Sequence, residues 1–224
     1  MGKLTFDLSV SLDGFVAGPN PSVEHPLGEG GERLHEWAFA AASVRERQGL
    51  PVSDEQRANP DNEIADEILR DTGATVMGRR MFSGGKGPWE TDQMADGWWG
   101  DDPPFHHPVF VLTHHAREPL VKAGGTTFTF VTDGIGAALE YARHAAGDRN
   151  VAVGGGANVV QQYLKAGLVD DFRLHIVPIL LGEGARLFED HHAARAEDVE
   201  LVRVVQSPTG VVHLGYRANR GATT

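Results

Sequence analysis

The sequence places a run of three glycines directly before a predicted helix. The run consists of Gly154, Gly155 and Gly156, and the helix begins with Ala157 and Asn158. A helix that begins on glycines directs free backbone N–H groups and the positive end of its dipole at one point, where a phosphate can bind without a basic side chain. Because glycine has no side chain, the phosphate can also approach the backbone closely. The run is therefore a candidate phosphate-binding turn.

A structural alternative stays open for this glycine turn. A dinucleotide-binding fingerprint of the form G-x-G-x-x-G would need a third glycine at the position of Val159. Glycines also occur wherever a strand bends sharply into a helix. The residues alone thus leave a phosphate site and a plain strand-to-helix turn as alternatives.

A second predicted strand ends in glycine and is followed by two cations. Gly78 ends the strand, and Arg79 and Arg80 occupy the first turn of the short helix behind it. Two cations at a helix N-terminus oppose the helix dipole, so a bound anion would stabilise them. Solvated arginine side chains are the alternative.

Basic residues also follow the predicted strand Val109 to Thr113, namely His114, His115 and Arg117. The carboxyl ends of parallel strands meet at one edge of a sheet, where α/β proteins bind ligands. Three such strand ends together predict a dinucleotide site. One helix N-terminus would bind the pyrophosphate, and another cationic loop would bind a further phosphate.

A carboxylate follows the first predicted strand, Lys3 to Leu12, whose apolar residues alternate. As a turn residue, Asp13 would accept hydrogen bonds from its own backbone. At the carboxyl end of a sheet, the same side chain would lie at the ligand-binding edge. Asp13 is therefore the candidate catalytic carboxylate, with the turn role as the alternative.

The elements that must position these residues form one continuous pattern. Strand and helix patterns alternate along the 224 residues without a linker or an internal repeat. They predict a single domain, residues 1–219, with a short tail, residues 220–224. The predicted fold class is α/β with three layers, in which helices cover a mostly parallel central sheet. Val199 to Val205 and Val211 to Tyr216 are expected to form a C-terminal antiparallel hairpin at its edge.

The first half of the chain carries three local predictions. Glu32 to Ala42 is expected to form one helix, and the polar segment Gly49 to Pro60 is expected to be irregular. A helix pattern resumes at Asn62 to Asp71, with Gly73 as a plausible C-cap.

A long loop rich in glycine and proline, Gly84 to Pro108, contains Trp89, Trp98 and Trp99. Loops of this length often cover a binding site. Tryptophans that simply pack against the domain are the alternative.

Composition and charge exclude several classes of function. A formal net charge of −11 argues against nucleic-acid and anionic-membrane partners, since both need a basic face. No apolar run is long enough to span a bilayer, and the absence of Cys removes disulfides and cysteine zinc sites. We therefore expect a cytoplasmic protein.

The sequence predicts no metal site. Its 11 histidines include three adjacent pairs, whose members point apart in a strand or a helix. The pairs are His106-His107, His114-His115 and His191-His192.

The sequence resembles the dihydrofolate-reductase-like superfamily, and more closely the branch related to the reductase domain of bacterial riboflavin biosynthesis. The matching segments occur in the expected order and cover nearly the whole chain. They are SLDGF (Ser11 to Phe15), TGATVMGRRMF (Thr72 to Phe82), PVFVLTHH (Pro108 to His115), the segment Val151 to Phe188 and the terminal hairpin.

This resemblance implies an NADPH-dependent reductase that transfers hydride to a small heterocyclic or carbonyl substrate, such as a pterin, pyrimidine or flavin precursor. It implies that Gly78 and Arg79 contact the cofactor phosphates. It further implies that Thr113 to His115 lie near the adenosine 2′-phosphate and that Gly154 to Asn158 bind the pyrophosphate. Arg117 is an additional candidate for the 2′-phosphate.

We expect the substrate to lie between the nicotinamide, Asp13, Phe15 and the helix of Trp37. Asp13 would orient a substrate donor or assist protonation. Glu183 is a candidate on the substrate side, and a surface ion pair with Arg186 is its alternative role.

An alternative function for the same fold is a non-catalytic protein that binds a nucleotide or serves as a structural homodimer. Homodimerisation is expected in either case. It is suggested by the resemblance and by the apolar run His175 to Leu181 beside the edge hairpin.

Overall fold

The computed structural model describes residues 2–22, 24–85, 87–188 and 199–218, and eleven strands form within these ranges. The strands are β1 (Leu4–Ser11), β2 (Phe15–Ala17), β3 (Thr72–Gly78), β4 (Pro108–Leu112), β5 (Leu120–Val121), β6 (Thr127–Val131), β7 (Asn150–Gly155), β8 (Asp171–Val177), β9 (Ala185–Arg186), β10 (Val199–Gln206) and β11 (Val212–Ala218). The α-helices of the same ranges are α1 (Glu36–Ala40), α2 (Ala42–Arg47), α3 (Asp54–Ala58), α4 (Pro60–Asp71), α5 (Arg79–Ser83), α6 (Gly134–Ala146) and α7 (Ala157–Lys165).

A nine-stranded sheet in the order β10-β11-β8-β1-β7-β3-β4-β6-β5 forms the middle layer. The six strands from β8 to β6 are parallel, whereas β5, β11 and β10 are antiparallel to their neighbours. β2 and β9 form a separate two-stranded sheet. The predicted α/β class, the mostly parallel sheet and the C-terminal hairpin are therefore confirmed.

The alternation in β1 explains how the layers assemble. Leu4, Phe6 and Leu8 face the main apolar core, which also contains residues of α6 and α7. The opposite face of β1 carries Asp7 and Ser9, and it is covered by the layer of α1, α2 and α4. Both faces of the strand are thus buried, although only one of them is apolar.

The single helix predicted for Glu32 to Ala42 is wrong. A 3₁₀ turn, Gly31–His35, leads into α1, and Ala41 then adopts an extended backbone (φ −62°, ψ 138°) before α2 begins. The Asn62 side chain accepts a hydrogen bond of 2.7 Å from the backbone N–H of Ser43, at the start of α2. The break therefore lets α2 begin against α4.

The C-cap predicted at Gly73 is also wrong, because α4 continues into β3 without a connecting residue. Thr72 ends the helix and donates its hydroxyl to the Ile68 carbonyl at 2.7 Å. Gly73 lies in β3, where an added Cβ would lie 2.9 Å from the Ala146 carbonyl oxygen at the end of α6. Glycine is needed there for close packing.

The segment Gly49 to Pro60 contains a helix that the sequence reading missed. α3 is capped by Ser53, whose hydroxyl accepts from the Gln56 N–H while the Gln56 side chain accepts from the Ser53 N–H. This capping box, S-x-x-Q, was visible in the sequence. None of the described helices is long and apolar enough to cross a membrane.

Candidate active site at the carboxyl edge of the sheet

The glycine turn and Gly78 come together at the carboxyl ends of neighbouring strands. β7 and β3 are parallel partners, and α7 and α5 begin directly behind them. A Cβ on Gly78 would lie 2.9 Å from Val159 Cγ2 of α7, so glycine allows the two segments to touch. The predicted convergence of these two strand ends is therefore present.

The glycine turn leaves the N-terminus of α7 open. Gly155 has a φ of 128°, which favours glycine, and its peptide bond to Gly156 is cis. Gly156 occupies the N-cap position without a side-chain cap, and a Cβ there would meet nothing within 4 Å. The first turn of α7 has no acidic residue. Gly156 is exposed, and the first N–H groups of a helix have no partner within it, so this turn fits an anion such as a pyrophosphate.

Two of the predicted cationic groups at this edge are exposed. Arg80 forms no hydrogen bond or ion pair through its guanidinium within the described parts of the chain, and His114 is exposed after β4. The Thr113 hydroxyl accepts a hydrogen bond of 3.1 Å from the His115 N–H, which fixes the backbone behind β4. Arg80 and His114 therefore remain accessible to a phosphate.

Arg79 is not solvated as the alternative reading supposed, because its side chain is only 8% exposed. It forms an ion pair with Asp92, and its Nε donates to Ser83 Oγ at 2.9 Å. The guanidinium carbon lies 3.2 Å from the centroid of the Trp89 ring. Arg79 Nη1 is buried and has no hydrogen-bond partner among the described residues. The arginine therefore contacts the protein's own loop rather than open space.

Arg117 contacts the other side of the same loop. Its guanidinium lies 4.7 Å from the Trp89 centroid, and it donates to the Ala95 carbonyl and, at 3.2 Å, to Asp96. Trp89 Nε1 donates to the His115 carbonyl at 2.8 Å. In this structure the tryptophan loop packs against the edge of the sheet and holds two of the predicted phosphate ligands.

The sequence reading missed Asp92 and Ser83 as the partners of Arg79. Ser83 lies four residues after Arg79 on a predicted helix, which places the two side chains on one face and was a usable signal. Nothing local in the sequence identified Asp92, because a long loop connects it to the strand end.

Asp13 lies at the end of β1 and is occupied by local hydrogen bonds. Its carboxylate accepts from the N–H groups of Leu181 (3.2 Å) and Gly182 (2.7 Å) and from Ser11 Oγ at 2.5 Å. The hydrogen bond from Ser11, with those from the two backbone groups, lowers the pKa of Asp13 to about 2 despite the opposing effect of desolvation. A carboxyl with that pKa stores no proton at neutral pH, which favours the turn role.

Phe15 and Glu183 occupy different surroundings. Phe15 is 5% exposed in β2, and the Arg186 guanidinium lies 4.2 Å from its ring centroid. Arg186 also donates to the Asp13 carbonyl at 2.9 Å. Glu183 is exposed, and it forms no ion pair with Arg186 within the described residues. The structure therefore gives Glu183 neither a buried position nor the ion pair of its alternative role.

Trp37 lies on the polar face of β1 rather than at its end. It is 6% exposed, its Nε1 donates to Ser9 Oγ at 2.9 Å, and its ring packs against those of His175 (4.5 Å) and His213 (4.8 Å). It also lines a cavity of about 190 Å³ beneath α1, α2 and α4, together with Asp7 and Ser9. Of the three predicted substrate contacts, Trp37 lines this cavity and Phe15 and Glu183 do not.

Two polar chains that the sequence reading missed run beneath α4. In the first, Asp61 Oδ1 lies 2.8 Å from His213 Nε2, and His213 Nδ1 lies 2.8 Å from His175 Nδ1. In the second, Arg173 pairs with Asp7 and donates to Glu67 at 2.8 Å. The signal was available, because polar residues alternate with apolar ones on both β1 and β8.

No cluster of metal-ligating residues occurs within the described ranges. The pair His191-His192 and the tail 220–224 lie outside those ranges.

Comparison with known proteins agrees with this architecture. The RibD C-terminal domain family matches residues 2–213. The uncharacterized protein YyaP of Bacillus subtilis (strain 168) is 23% identical over 227 residues, which cover 97% of this chain and 95% of YyaP.

Two solved structures are similar in fold. A putative riboflavin biosynthesis protein from Shewanella sp. PV-4 is 17% identical with a TM-score of 0.59, over 97% of this chain and 99% of that one. A dihydrofolate reductase from Enterococcus faecalis, complexed with NADP(H) and RAB-propyl, is 16% identical with a TM-score of 0.52, over 97% of each chain. With the family match over residues 2–213, these likenesses show that the chain belongs to the RibD C-terminal domain family and has a reductase-like fold of the dihydrofolate-reductase-like superfamily.

Proposed function

We propose that the chain is a cytoplasmic NADPH-dependent reductase that transfers hydride to a small heterocyclic or carbonyl substrate. The observation that carries this proposal is the open N-terminus of α7, where the N-cap residue Gly156 is exposed and no side chain caps the helix. The family membership supports a reductase, and the Enterococcus faecalis relative is complexed with NADP(H). NADPH would supply the hydride when bound.

The residues of this chain would bind and orient the cofactor. The N–H groups of Gly156 to Asn158 would hold the pyrophosphate at the positive end of the α7 dipole. Arg80 would supply positive charge beside it, which matters in a chain of net charge −11, and His114 and His115 would contact the 2′-phosphate. The role of Arg79 would be to hold the tryptophan loop over the edge and exclude water, since its charge is already paired with Asp92.

Asp13 would act as a positioning residue rather than as the proton donor. Its carboxylate joins the β1 turn to the backbone of Leu181 and Gly182. Because its pKa is about 2, the rate of NADPH oxidation should show no inflection from Asp13 above pH 4. A rate profile that loses an inflection near pH 5 to 7 in Asp13→Asn would instead make Asp13 the proton donor.

The test of cofactor binding compares Gly156→Asp with the wild-type protein. Asp is a favourable N-cap residue, so the variant should be as stable as the wild type or more stable, by about a few tenths of a kcal/mol. Its carboxylate would occupy the phosphate position, so NADPH affinity should fall at least about tenfold, measured by quenching of tryptophan fluorescence.

Gly136→Asp is the matched control for this test. It adds the same charge in the first turn of α6, where a Cβ also meets nothing within 4 Å. Its loss of NADPH affinity should be much smaller than that of Gly156→Asp, because β6 lies three strands from β7 in the sheet. Unchanged affinity in Gly156→Asp would contradict the proposed site. Equal affinity of the wild type for NADPH and NADH would contradict the proposed contact between Thr113 to His115 and the 2′-phosphate.

A second candidate is a non-catalytic nucleotide-binding protein or structural homodimer of the same fold. It is favoured by one observation: Arg79 and Arg117 are already paired with carboxylates of this chain. NADPH binding without oxidation across a panel of pterins, pyrimidines and small carbonyl compounds would support it over the reductase.

Homodimerisation is also proposed, but through a different surface from the apolar run His175 to Leu181. β8 lies between β1 and β11, so the part of that run in β8, His175 to Val177, is already paired on both sides and cannot pair with a second copy. The edge strand β10 instead exposes four apolar side chains to between 45% and 57%, namely Val199, Leu201, Val202 and Val204. Such an edge favours pairing with a second copy. Light scattering should show a dimer at micromolar concentration and a monomer for Val204→Lys, and a monomeric wild type would end the proposal.

A further inference from the structure

All the sulfur atoms of this chain belong to methionine, because the sequence contains four Met and no Cys. Within the described residues, Met77 is 0% exposed, whereas Met81 and Met94 are each partly exposed. Peroxides oxidise thioethers that they can reach, so Met81 and Met94 are the accessible sulfur atoms of these ranges.

Met81 lies in α5, and its thioether lies beside the glycine turn. A Cβ placed on Gly155 would lie 3.3 Å from Met81 Sδ, and a Cβ placed on Gly154 would lie 3.4 Å from Met81 Cε. The thioether therefore occupies the space next to two residues that have no side chain. Met94 lies in the tryptophan loop instead, where its N–H donates to Asp92 at 2.9 Å.

The backbone of α5 holds this thioether in place. Phe82 is 0% exposed in the apolar cluster that also contains Met77, and Met81 packs against the same cluster. The Met81 carbonyl accepts a hydrogen bond of 2.8 Å from Trp98 Nε1. A change in the Met81 side chain must therefore be accommodated at the glycine turn or in the space in front of it.

Oxidation would change the polarity of this side chain. A lone pair of Met81 Sδ attacks one oxygen of a peroxide, the O–O bond breaks, the sulfur becomes a sulfoxide and the other oxygen leaves as water. The sulfur loses two electrons, and the peroxide is reduced by the same two. The sulfoxide oxygen is a polar acceptor, so burying it among apolar side chains would be unfavourable.

The nearby N-terminus of α7 offers this oxygen suitable donors. The helix begins at Ala157, two residues after Gly155. Its first N–H groups have no partner within the helix, and the positive end of the helix dipole attracts the partial negative charge of a sulfoxide. The same N–H groups are the proposed ligands of the cofactor pyrophosphate.

We propose that Met81 is an oxidation site that controls phosphate binding: its sulfoxide oxygen turns toward the first N–H groups of α7 and competes with a phosphate for them. The oxidant is a peroxide, and the modified atom is Met81 Sδ. That the displaced phosphate belongs to NADPH rests on the proposed function, whereas the effect of the sulfoxide on the glycine turn does not.

The test treats the full-length protein with graded amounts of hydrogen peroxide. Trypsin cleaves after arginine and lysine, which places Met77, Met81 and Met94 in three different peptides, so mass spectrometry follows the oxidation of each one separately. Met81 should be oxidised well before Met77. Calorimetry measures NADPH affinity without using tryptophan fluorescence, and the affinity should fall about tenfold as Met81 sulfoxide accumulates. Methionine sulfoxide reductases A and B, which reduce the two sulfoxide epimers, should restore it.

Two variants separate Met81 from the other methionines. Met81→Leu keeps an apolar side chain of similar size that peroxide does not oxidise, so its NADPH affinity should be the same before and after treatment. Met94→Leu is the matched control, because it removes the other partly exposed thioether and keeps Met81. It should lose affinity on treatment as the wild type does. Each variant is compared with its own untreated form.

Backbone ¹H–¹⁵N spectra test the effect on the turn without any cofactor. The amide signals of Gly155, Gly156 and Ala157 should move when the wild type or Met94→Leu is oxidised. In Met81→Leu the same signals should stay in place.

Three results would overturn the inference: oxidation of Met77 before Met81, unchanged amide signals once Met81 is a sulfoxide, or equal sensitivity of Met81→Leu to peroxide. Its failure is separable from that of the reductase proposal. NADPH binding that survives complete oxidation of Met81 would end the oxidation proposal alone. An untreated protein that does not bind NADPH would end the reductase proposal, and the amide signals would still decide the role of Met81.

Discussion

Two buried polar networks differ in the surroundings of their one unpaired nitrogen atom. The Arg79 network consists of Arg79, Ser83, Asp92 and Trp89, and the His175 network consists of Asp61, His213 and His175. Each contains a buried carboxylate and leaves one nitrogen without a partner, Arg79 Nη1 and His175 Nε2 respectively.

Arg79 is enclosed by a tryptophan ring and a loop of its own chain, whereas His175 borders a cavity. The permanent charge of an arginine holds a loop in place. The imidazole of His175 keeps one ring nitrogen unpaired, and that nitrogen is buried as fully as Arg79 Nη1. A buried polar residue after a strand is therefore evidence for a ligand only when something other than the protein can reach it.

The largest effect should follow from removing the carboxylate of the Arg79 network. Asp92→Ala leaves a buried guanidinium without a counter-charge, which should lower the free energy of unfolding by about 3–5 kcal/mol in urea titrations. The matched control is Asp96→Ala, since Asp96 pairs with Arg117 but is 72% exposed. That control should cost less than about 1 kcal/mol. Similar losses in both variants would mean that the Arg79 network is not the buried anchor of the loop.

Replacing the carboxylate of the His175 network should lower the free energy of unfolding by a smaller amount. Asp61→Asn keeps a neutral acceptor for His213 and should cost about 2–3 kcal/mol, the worth of a hydrogen bond to a buried charged group. Urea titration at pH 7 measures it, with Thr209→Val expected to cost about 1 kcal/mol. A loss as large as that of Asp92→Ala would show that Asp61 pairs a full positive charge on His213.

Acid should affect the histidines His35 and His175 in a different range of pH from the Arg79 network. Burial lowers the pKa of His35 to about 4 and that of His175 well below 6.5. The unfolded chain therefore binds protons near pH 6.5 that the folded protein does not bind. The free energy of unfolding should consequently fall as the pH drops from about 6.5 to 4. The contribution of half-buried His35 should be about 2 kcal/mol.

Asp92 behaves differently, because the hydrogen bonds from Arg79 and Ser83 outweigh its burial and lower its pKa below 3.8. Its contribution is present above about pH 4 and is lost only below it. His35→Gln should reduce the change in the free energy of unfolding between pH 6.5 and 4, whereas Asp92→Ala should not. His25→Gln, at a side chain 54% exposed, is the control. A curve that is flat in the wild type would contradict the assignment of neutral buried histidines.

The smallest loss of stability should follow from removing the cation on the outer side of the Trp89 ring. Arg117→Gln removes a cation 4.7 Å from the ring centroid and should cost about 1 kcal/mol in thermal or urea unfolding. Arg117→Lys keeps the positive charge and should therefore recover part of the lost stability. If Arg117→Gln instead loses about tenfold of its preference for NADPH over NADH and keeps its stability, Arg117 binds the 2′-phosphate, as the sequence suggested.

The sequence predicted the parts of the fold that local patterns determine. The strand, glycine turn and helix around Gly156 follow from apolar spacing and glycine position, and the hairpin follows from its turn around Pro208 to Gly210. The position of Gly78 and the glycine turn at one edge followed from the predicted parallel sheet, whereas the pairing of β3 with β7 did not.

The remaining features depend on contacts between distant segments. Asp7 and Ser9 have the pattern of a solvent-facing strand side, and only the docking of α4 shows that they are buried. Asp92 meets Arg79 because a long loop folds back, which no local spacing encodes. The break at Ala41 likewise depends on α2 meeting Asn62 of a later helix.

The direct junction of α4 with β3 and of β3 with α5 has a consequence for engineering the chain. From Pro60 to Ser83 there is no residue outside a helix or a strand, and this one segment carries Asp61 at its start and Arg79 and Ser83 at its end. An added residue between Asp71 and Thr72 would rotate one partner against the other, so this junction should reject insertions and permutation sites. The exposed turn at Gly147, where a helix ends outside any such junction, is the place to open or extend the chain.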